Sequence, residues 1–340
     1  MSAIDRVDPE LLPSLHEVRT LFPGGLETLE DLTAKRAQIK KLLSMRPQLQ
    51  DAPVVKEDRT IPGPSDAPDL SVRIYRPIDT EGALPAIYNI HGGGMVMGDV
   101  EFDDTFAENL CTELPCIVVS VDYRLAPENP YPAPVEDCYA GYVWMMSHAH
   151  ELGFDRDRVA IYGQSAGGGL VLALSLLARD RGAPLPALQM ALAPMIDPDN
   201  ATPSSHEITD LGTWDRSDNI AAWQWYLAGH EPDTYAAPAH AENLTDLPPT
   251  FIDVGTVDLF RDEDIRFAMR LMHAGVPTEL TVYPGAYHGA ENLAGNAPLA
   301  QQILTRRMET LRRVLGQKSP TAGTATTAAG HPGSVLSGVN

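Results

Sequence analysis

The feature that most restricts the fold is an alternation that begins near residue 71. Short β-rich runs occur at 71–76, 85–90, 116–121, 158–162, 188–193, 250–254 and 278–283. Between most of them lie stretches with helical spacing at 103–114, 134–150, 166–182 and 262–274, and a last helix is predicted near 298–315. Strands alternating with helices predict an α/β chain whose mostly parallel sheet is covered on both faces.

Three segments stand outside the alternation. Residues 1–50 read as helical, with apolar residues at helical spacing from Leu26 through Leu43 and a break at Pro23-Gly24-Gly25. Residues 200–231 carry Trp214, Trp223, Trp225 and Tyr226, the last three fitting a helix from Ile220 to Leu227 that lies over apolar surface. Residues 317–340 hold one Lys and no aromatic, too little apolar surface to order themselves, so a disordered tail is expected. The expected organisation is a helical region at 1–50, an α/β domain at 51–316 with an insertion at about 200–231, and the tail at 317–340.

The 340 residues carry 46 acidic and 25 basic side chains, a formal charge of -21. Such a surface repels phosphate backbones and anionic lipid, so neither nucleic acid nor a membrane is an expected partner. Neutral or cationic small molecules suit it better than polyanions. Cys111, Cys116 and Cys138 are odd in number and lack a Cys-x-x-Cys pair, which points away from a disulfide framework or zinc ribbon and towards buried small hydrophobes. The first residues have no basic start followed by an apolar run, and no apolar stretch is long enough to span a bilayer. The expected location is the cytoplasm.

Gly163-Gln164-Ser165-Ala166-Gly167 matches Gly-x-Ser-x-Gly. A glycine-rich helix start packed on a sheet would give the same five letters, so context decides. Arg158–Tyr162 reads as a strand and Leu170–Ala178 as a helix. A serine on that strand-to-helix turn projects its hydroxyl above the sheet. His91-Gly92-Gly93-Gly94 follows the apolar run Ala86–Ile90. Glycines there let backbone N–H groups approach a ligand closely, and Gly92 and Gly93, with Ala166, are the expected donors to an oxyanion. A plain turn or phosphate loop is the competing reading, but no Gly-Lys-Ser/Thr follows. His91 is expected to shape the loop rather than act as a base.

A nucleophilic serine needs a base, and the base an orienting carboxylate. Of the histidines after Ser165, His288 lies beyond a strand and a Pro284-Gly285 turn, where ligands meet open α/β sheets. His273 falls inside a predicted helix and His331 in the tail. Asp258 follows the strand Phe251–Val254 and is preferred to Asp262, Glu263 and Asp264, which read as helix-start acids. The candidate triad is therefore Ser165, Asp258 and His288. No metal site is read: His206-Glu207 lacks a second histidine at metalloprotease spacing, and His148-x-His150 reads as solvent-facing.

Taken together, His91–Gly94, Gly163–Gly168, Asp122–Glu128, Asp258–Glu263 and Tyr287-His288-Gly289 resemble the hormone-sensitive lipase-like family of bacterial esterases over roughly residues 60–315. The resemblance implies an α/β-hydrolase fold with an eight-stranded sheet and a helical cap built from the N-terminal region and the 200–231 insertion. It implies carboxylic ester hydrolysis without a cofactor, on a small-molecule ester, and leaves a homodimer open. It also implies that Asp122–Glu128 is a buried loop bracing the glycine segment. Met97 and Trp214 are the expected substrate-pocket walls, favouring short to medium acyl chains. The chain departs from the family pattern in having Gln164 where Asp is common, Leu259 where Pro is usual, and Gly289-Ala290-Glu291 after the histidine rather than Gly-Phe. Those positions bear on local bracing and on the pocket wall. A non-hydrolytic receptor on the same fold, or an amidase or thioesterase, would share the same frame.

Overall fold

The computed structural model describes residues 2–22, 24–44 and 53–316; the expected disordered tail lies outside the described residues. Eight strands, β1 (Val54–Ile61), β2 (Leu70–Pro77), β3 (Leu84–Ile90), β4 (Ile117–Asp122), β5 (Phe154–Gln164), β6 (Leu188–Leu192), β7 (Thr250–Val257) and β8 (Thr278–Tyr287), form one sheet. Its order is β1-β2-β4-β3-β5-β6-β7-β8. Only the β1–β2 and β2–β4 pairings are antiparallel. The helices are α1 (Leu12–Leu21), α2 (Leu29–Ser44), α3 (Asp104–Glu113), α4 (Ala133–Ser147), α5 (Ala149–Leu152), α6 (Ala166–Arg181), α7 (Pro203–Glu207), α8 (Arg216–Leu227), α9 (Arg261–His273), α10 (Ala290–Leu293) and α11 (Pro298–Leu315).

Strand periodicity splits the core in two. Tyr88, Ile90, Val119, Ile161 and Ile252 face one layer, built with Leu170, Leu174 and Phe267 of α6 and α9. Ile87, Val118, Ala160, Met190 and Phe251 face the other, closed by Leu110, Cys111, Leu311 and Leu315 of α3 and α11. All three cysteines are free and buried, as expected of small hydrophobes.

Several local expectations need correction. β1 was absent from the sequence-based strands. Its central run of charged residues (Lys56, Glu57, Asp58, Arg59) puts charge on both faces and leaves no apolar alternation, which suits an edge strand. Pro284-Gly285 is not a turn ahead of the histidine but part of β8, which has a register shift against β7 near Gly255–Val257. The single helix expected at 134–150 divides at His148 into α4 and α5. The helix expected from Ile220 starts earlier, at Arg216, behind a reciprocal cap between Asp215 and Asp218. Among the described residues, no helix is long and apolar enough to cross a membrane.

The N-terminal helices touch the 200–231 segment directly. Arg6 pairs with Glu207 at 2.8 Å, Arg19 donates to the Asp210 carbonyl at 2.7 Å, and the Leu26 amide donates to Asp218. The order β4-β3-β5 marks where the chain's progress across the sheet reverses, the place where ligands meet such sheets.

Candidate active site

Ser165 is the single residue between the end of β5 and the start of α6, at φ 59° and ψ -122°. A non-glycine residue in that region carries about 1–3 kcal/mol of strain, and neighbours hold it there. Its N–H donates to the Leu192 carbonyl at 2.8 Å, and its carbonyl accepts from Gly169 and Met195 at 3.0 Å. The flanking glycines are required by close approach: a side-chain carbon on Gly167 would overlap the Ile90 carbonyl, and one on Gly163 would meet the Gly167 backbone. Ser165 is 7% exposed.

The glycine segment lies against this turn. A carbon added at Gly92 would stand 3.6 Å from the Ser165 Cβ and 3.0 Å from the Gln164 carbonyl. Among the described residues, the Gly92 and Gly93 amides donate to no backbone carbonyl. Ala166, as the first residue of α6, has no acceptor within its helix for its own N–H. His91 is buried, hydrogen-bonded through Nδ1 to the Gly92 carbonyl at 2.8 Å and stacked on Tyr123 at 4.1 Å. Burial pushes its pKa down to about 4, so it is a neutral loop-shaping group. Tyr123 donates to the His91 carbonyl, and Arg124 grips the buried Asp137 with two side-chain bonds, fixing the Asp122–Glu128 loop behind the glycines.

Asp258 follows β7 and is 1% exposed. Its Oδ1 accepts from the Phe260 N–H at 3.0 Å and its Oδ2 from His288 Nδ1 at 2.9 Å. His288 comes directly after β8. Burial opposes charging the imidazole, but the charge and hydrogen bond of Asp258, with the charge of Glu291, outweigh it; Arg307 acts in the opposite sense. The pKa of His288 consequently lies above the ordinary imidazole value. Asp258 and His288 are thus joined, and Ser165 stands on the same sheet edge two strands from Asp258. A small cavity of about 10 Å³ behind them is lined by Gln164, Asp258, Tyr287, Gly289 and Glu291, among others, and by neither Ser165 nor His288.

Met97 and Trp214 both lie against the glycine segment, Met97 beside Gly93 and Trp214 beside Gly94. Trp214 is nearly buried, its ring edge fills the space a side chain on Gly94 would need, and its Nε1 donates to Asn219 at 3.1 Å. Met97 lines a cavity of about 180 Å³ with Arg36, Ile39, Gly98, Asp99 and Leu125. Sequence reasoning missed Glu291, Arg307 and Asp253, a buried charged group that adjoins the candidate triad residues. The signal was present in part, since Gln164 and Glu291 both depart from the family pattern. Asp197, Asp199 and His240 bring their ligand-type atoms within 4.8 Å of one another, a grouping also missed. Asp199 is exposed, and acids crowd readily on so acidic a chain.

A sheet in this order, with a serine on the strained turn after a central strand, places the molecule among the α/β hydrolases. The family model described as alpha/beta hydrolase fold matches residues 87–292. The chain is 36% identical over 312 residues to esterase LipI of Mycobacterium tuberculosis, covering 90% of this chain and 96% of that protein. It is 34% identical over 313 residues to carboxylesterase NlhH of the same organism, covering 90% and 97%. It superimposes on a solved bacterial heroin esterase with a TM-score of 0.86 at 36% identity, covering 92% of this chain and 99% of that one. The chain belongs to the α/β-hydrolase family, in its hormone-sensitive lipase-like branch, and is a hydrolase of the esterase class.

Proposed function

We propose that the protein hydrolyses carboxylic esters through Ser165, His288 and Asp258. The observation that carries this reading is the 2.9 Å bond from His288 Nδ1 to the buried Asp258 carboxylate. That bond fixes the proton on Nδ1 and leaves Nε2 as the acceptor. The Ser165 Oγ attacks the ester carbonyl carbon while its proton passes to Nε2. The carbonyl oxygen becomes an oxyanion held by the N–H groups of Gly92, Gly93 and Ala166. Collapse expels the alcohol, which takes the proton from His288. Water, deprotonated by the same nitrogen, then attacks the acyl-serine, and collapse releases the acid as Ser165 Oγ takes the proton back from His288.

In this reading the N-terminal helices and the 200–231 segment form a cap over the sheet edge. Their mutual ion pair and hydrogen bonds and the seat of Trp214 on Gly94 support it. Met97 and Trp214 wall the pocket, which favours short to medium acyl chains on small-molecule esters.

Two measurements test the proposal. Ser165→Ala and His288→Ala should each lower kcat for p-nitrophenyl acetate by several orders of magnitude in folded protein; a folded Ser165→Ala enzyme with near-normal turnover would defeat the mechanism. Across a series of acyl lengths, each methylene that fits should contribute about 0.8 kcal/mol to kcat/KM. Chains that do not fit should lose rate, and Trp214→Ala should move that limit. An unaltered profile in folded Trp214→Ala removes Trp214 from the pocket.

A further inference from the structure

Two departures from the family pattern, 127 positions apart, meet in space. Gln164, the residue before the serine, donates Nε2–H to Glu291 Oε1 at 2.7 Å and accepts from Asn292 Nδ2 at 2.7 Å. Glu291 and Asn292 lie in α10, three and four residues beyond His288. The same Glu291 oxygen accepts from Arg307 Nη1 at 2.6 Å. Arg307 in turn holds Asp253 of β7 with two bonds, at 2.7 and 3.0 Å. Glu291, Arg307 and Asp253 are almost wholly buried.

We propose that Gln164 and Glu291 form a positioning latch that sets the distance between the nucleophile turn and the histidine loop, with Arg307 and Asp253 anchoring it. This inference rests on the triad reading above. Burying three charges gains little stability over an apolar packing of the same volume, so selection for stability alone gives no reason for this arrangement. It does fix geometry: one carboxylate oxygen shared by two donors ties α10 to β5 on one side and to α11 on the other. The latch also brings a charge to the base. Facing Glu291 are Arg307, Asp253, His288 and the hydroxyls of Tyr162, Tyr283 and Tyr287. Facing His288 are Asp258, Glu291 and Arg307, with Glu291 favouring the imidazolium and Arg307 opposing it.

The test uses the full chain, p-nitrophenyl acetate and three changes. Gln164→Met keeps the volume of a half-buried side chain and removes both of its bonds. It should lower kcat roughly tenfold to a hundredfold, with KM little changed and the acidic limb of the kcat/KM–pH profile unmoved. Glu291→Gln removes the charge and keeps the shape; with Arg307 left opposing the imidazolium, the acidic limb should move to lower pH. The exchange Gln164→Glu with Glu291→Gln rebuilds the bridge with donor and acceptor reversed and should recover kcat relative to Gln164→Met. Wild-type kcat in folded Gln164→Met, or an unmoved limb in folded Glu291→Gln, overturns the latch. If Glu291→Gln does not fold, Gln164→Met decides alone. Ser165→Ala measured beside them separates the two levels: if it is inactive while the latch variants behave as wild type, only the latch fails; if it is active, the triad reading fails.

Discussion

Asp262, Glu263 and Asp264 open α9, where a helix start favours negative charge, and each meets a different environment. Asp262 accepts from the Ser204 N–H and from Arg261, and Glu263 accepts from the Ile196 N–H, so both brace the segment after β6. Asp264 is fully buried, and neither of its carboxylate oxygens has a hydrogen-bond partner among the described residues. Burial, then the charges of Glu263, Asp258 and Asp253, push its pKa well above the ordinary carboxyl value. A raised folded pKa means that the cost of burying this carboxyl is smallest below about pH 4 and grows as pH rises from there to the folded value. Asp264→Ala should therefore raise the thermal midpoint, by the equivalent of about 1–3 kcal/mol, and by more at pH 8 than at pH 5. An equal or opposite change at the two pH values would show that the carboxyl is satisfied. The sequence reading took all three acids as helix-start residues because position in a helix is legible and depth of burial is not. Asp258 was separable from them because a strand end, unlike a helix turn, points to the ligand edge. The pairing of Gln164 with Glu291 was illegible for another reason: each departure could be seen, but nothing local joins residues so far apart.

At the scale of elements, α2 controls the back of the glycine segment through one side chain. Arg36 donates Nε–H to the Val96 carbonyl at 2.7 Å and Nη2–H to the Ala126 carbonyl at 2.8 Å, and forks onto Glu128 at 2.6 and 3.0 Å. Val96 and Met97 in turn bond to the Gly93 carbonyl. Arg36→Met should lower stability by about 1–2 kcal/mol, reduced by partial exposure of the guanidinium, and should lower kcat as the loop loosens. Arg36→Lys should not rescue it, because an ammonium cannot reach both carbonyls and the carboxylate in one plane. Calorimetry beside kcat on all three proteins checks this; full activity in the Lys form would mean that charge alone suffices. Helices with a strong apolar stripe, such as α9 and α11, were legible from spacing, as were the buried strands and α6, which is buried along nearly its whole length. β1 was not, because it has no apolar alternation: it is held by its antiparallel ladder with β2, and its cross-strand neighbours include charge pairs such as Asp58 with Arg73.

For the molecule as a whole, a formal charge of -21 means self-repulsion that the fold must overcome. Added salt screens exposed charges beyond about 10 Å at 0.1 M. The thermal midpoint should therefore rise between low salt and 0.5 M sodium chloride, and a flat or falling midpoint would show that the acids are locally neutralised by their ion pairs. The order of the sheet carries a different consequence. The proposed nucleophile leaves β5, its carboxylate leaves β7, its base leaves β8, and the arginine that anchors the base's loop lies in α11. Synthesis proceeds from the N-terminus and domains fold as units. A ribosome that has released residues 1–250 has thus made the serine and its glycine loop but no base. In the proposed reading the chain should stay inert towards esters until α11 has been made, so activity arrives with the C-terminal helix of the described residues rather than with the nucleophile.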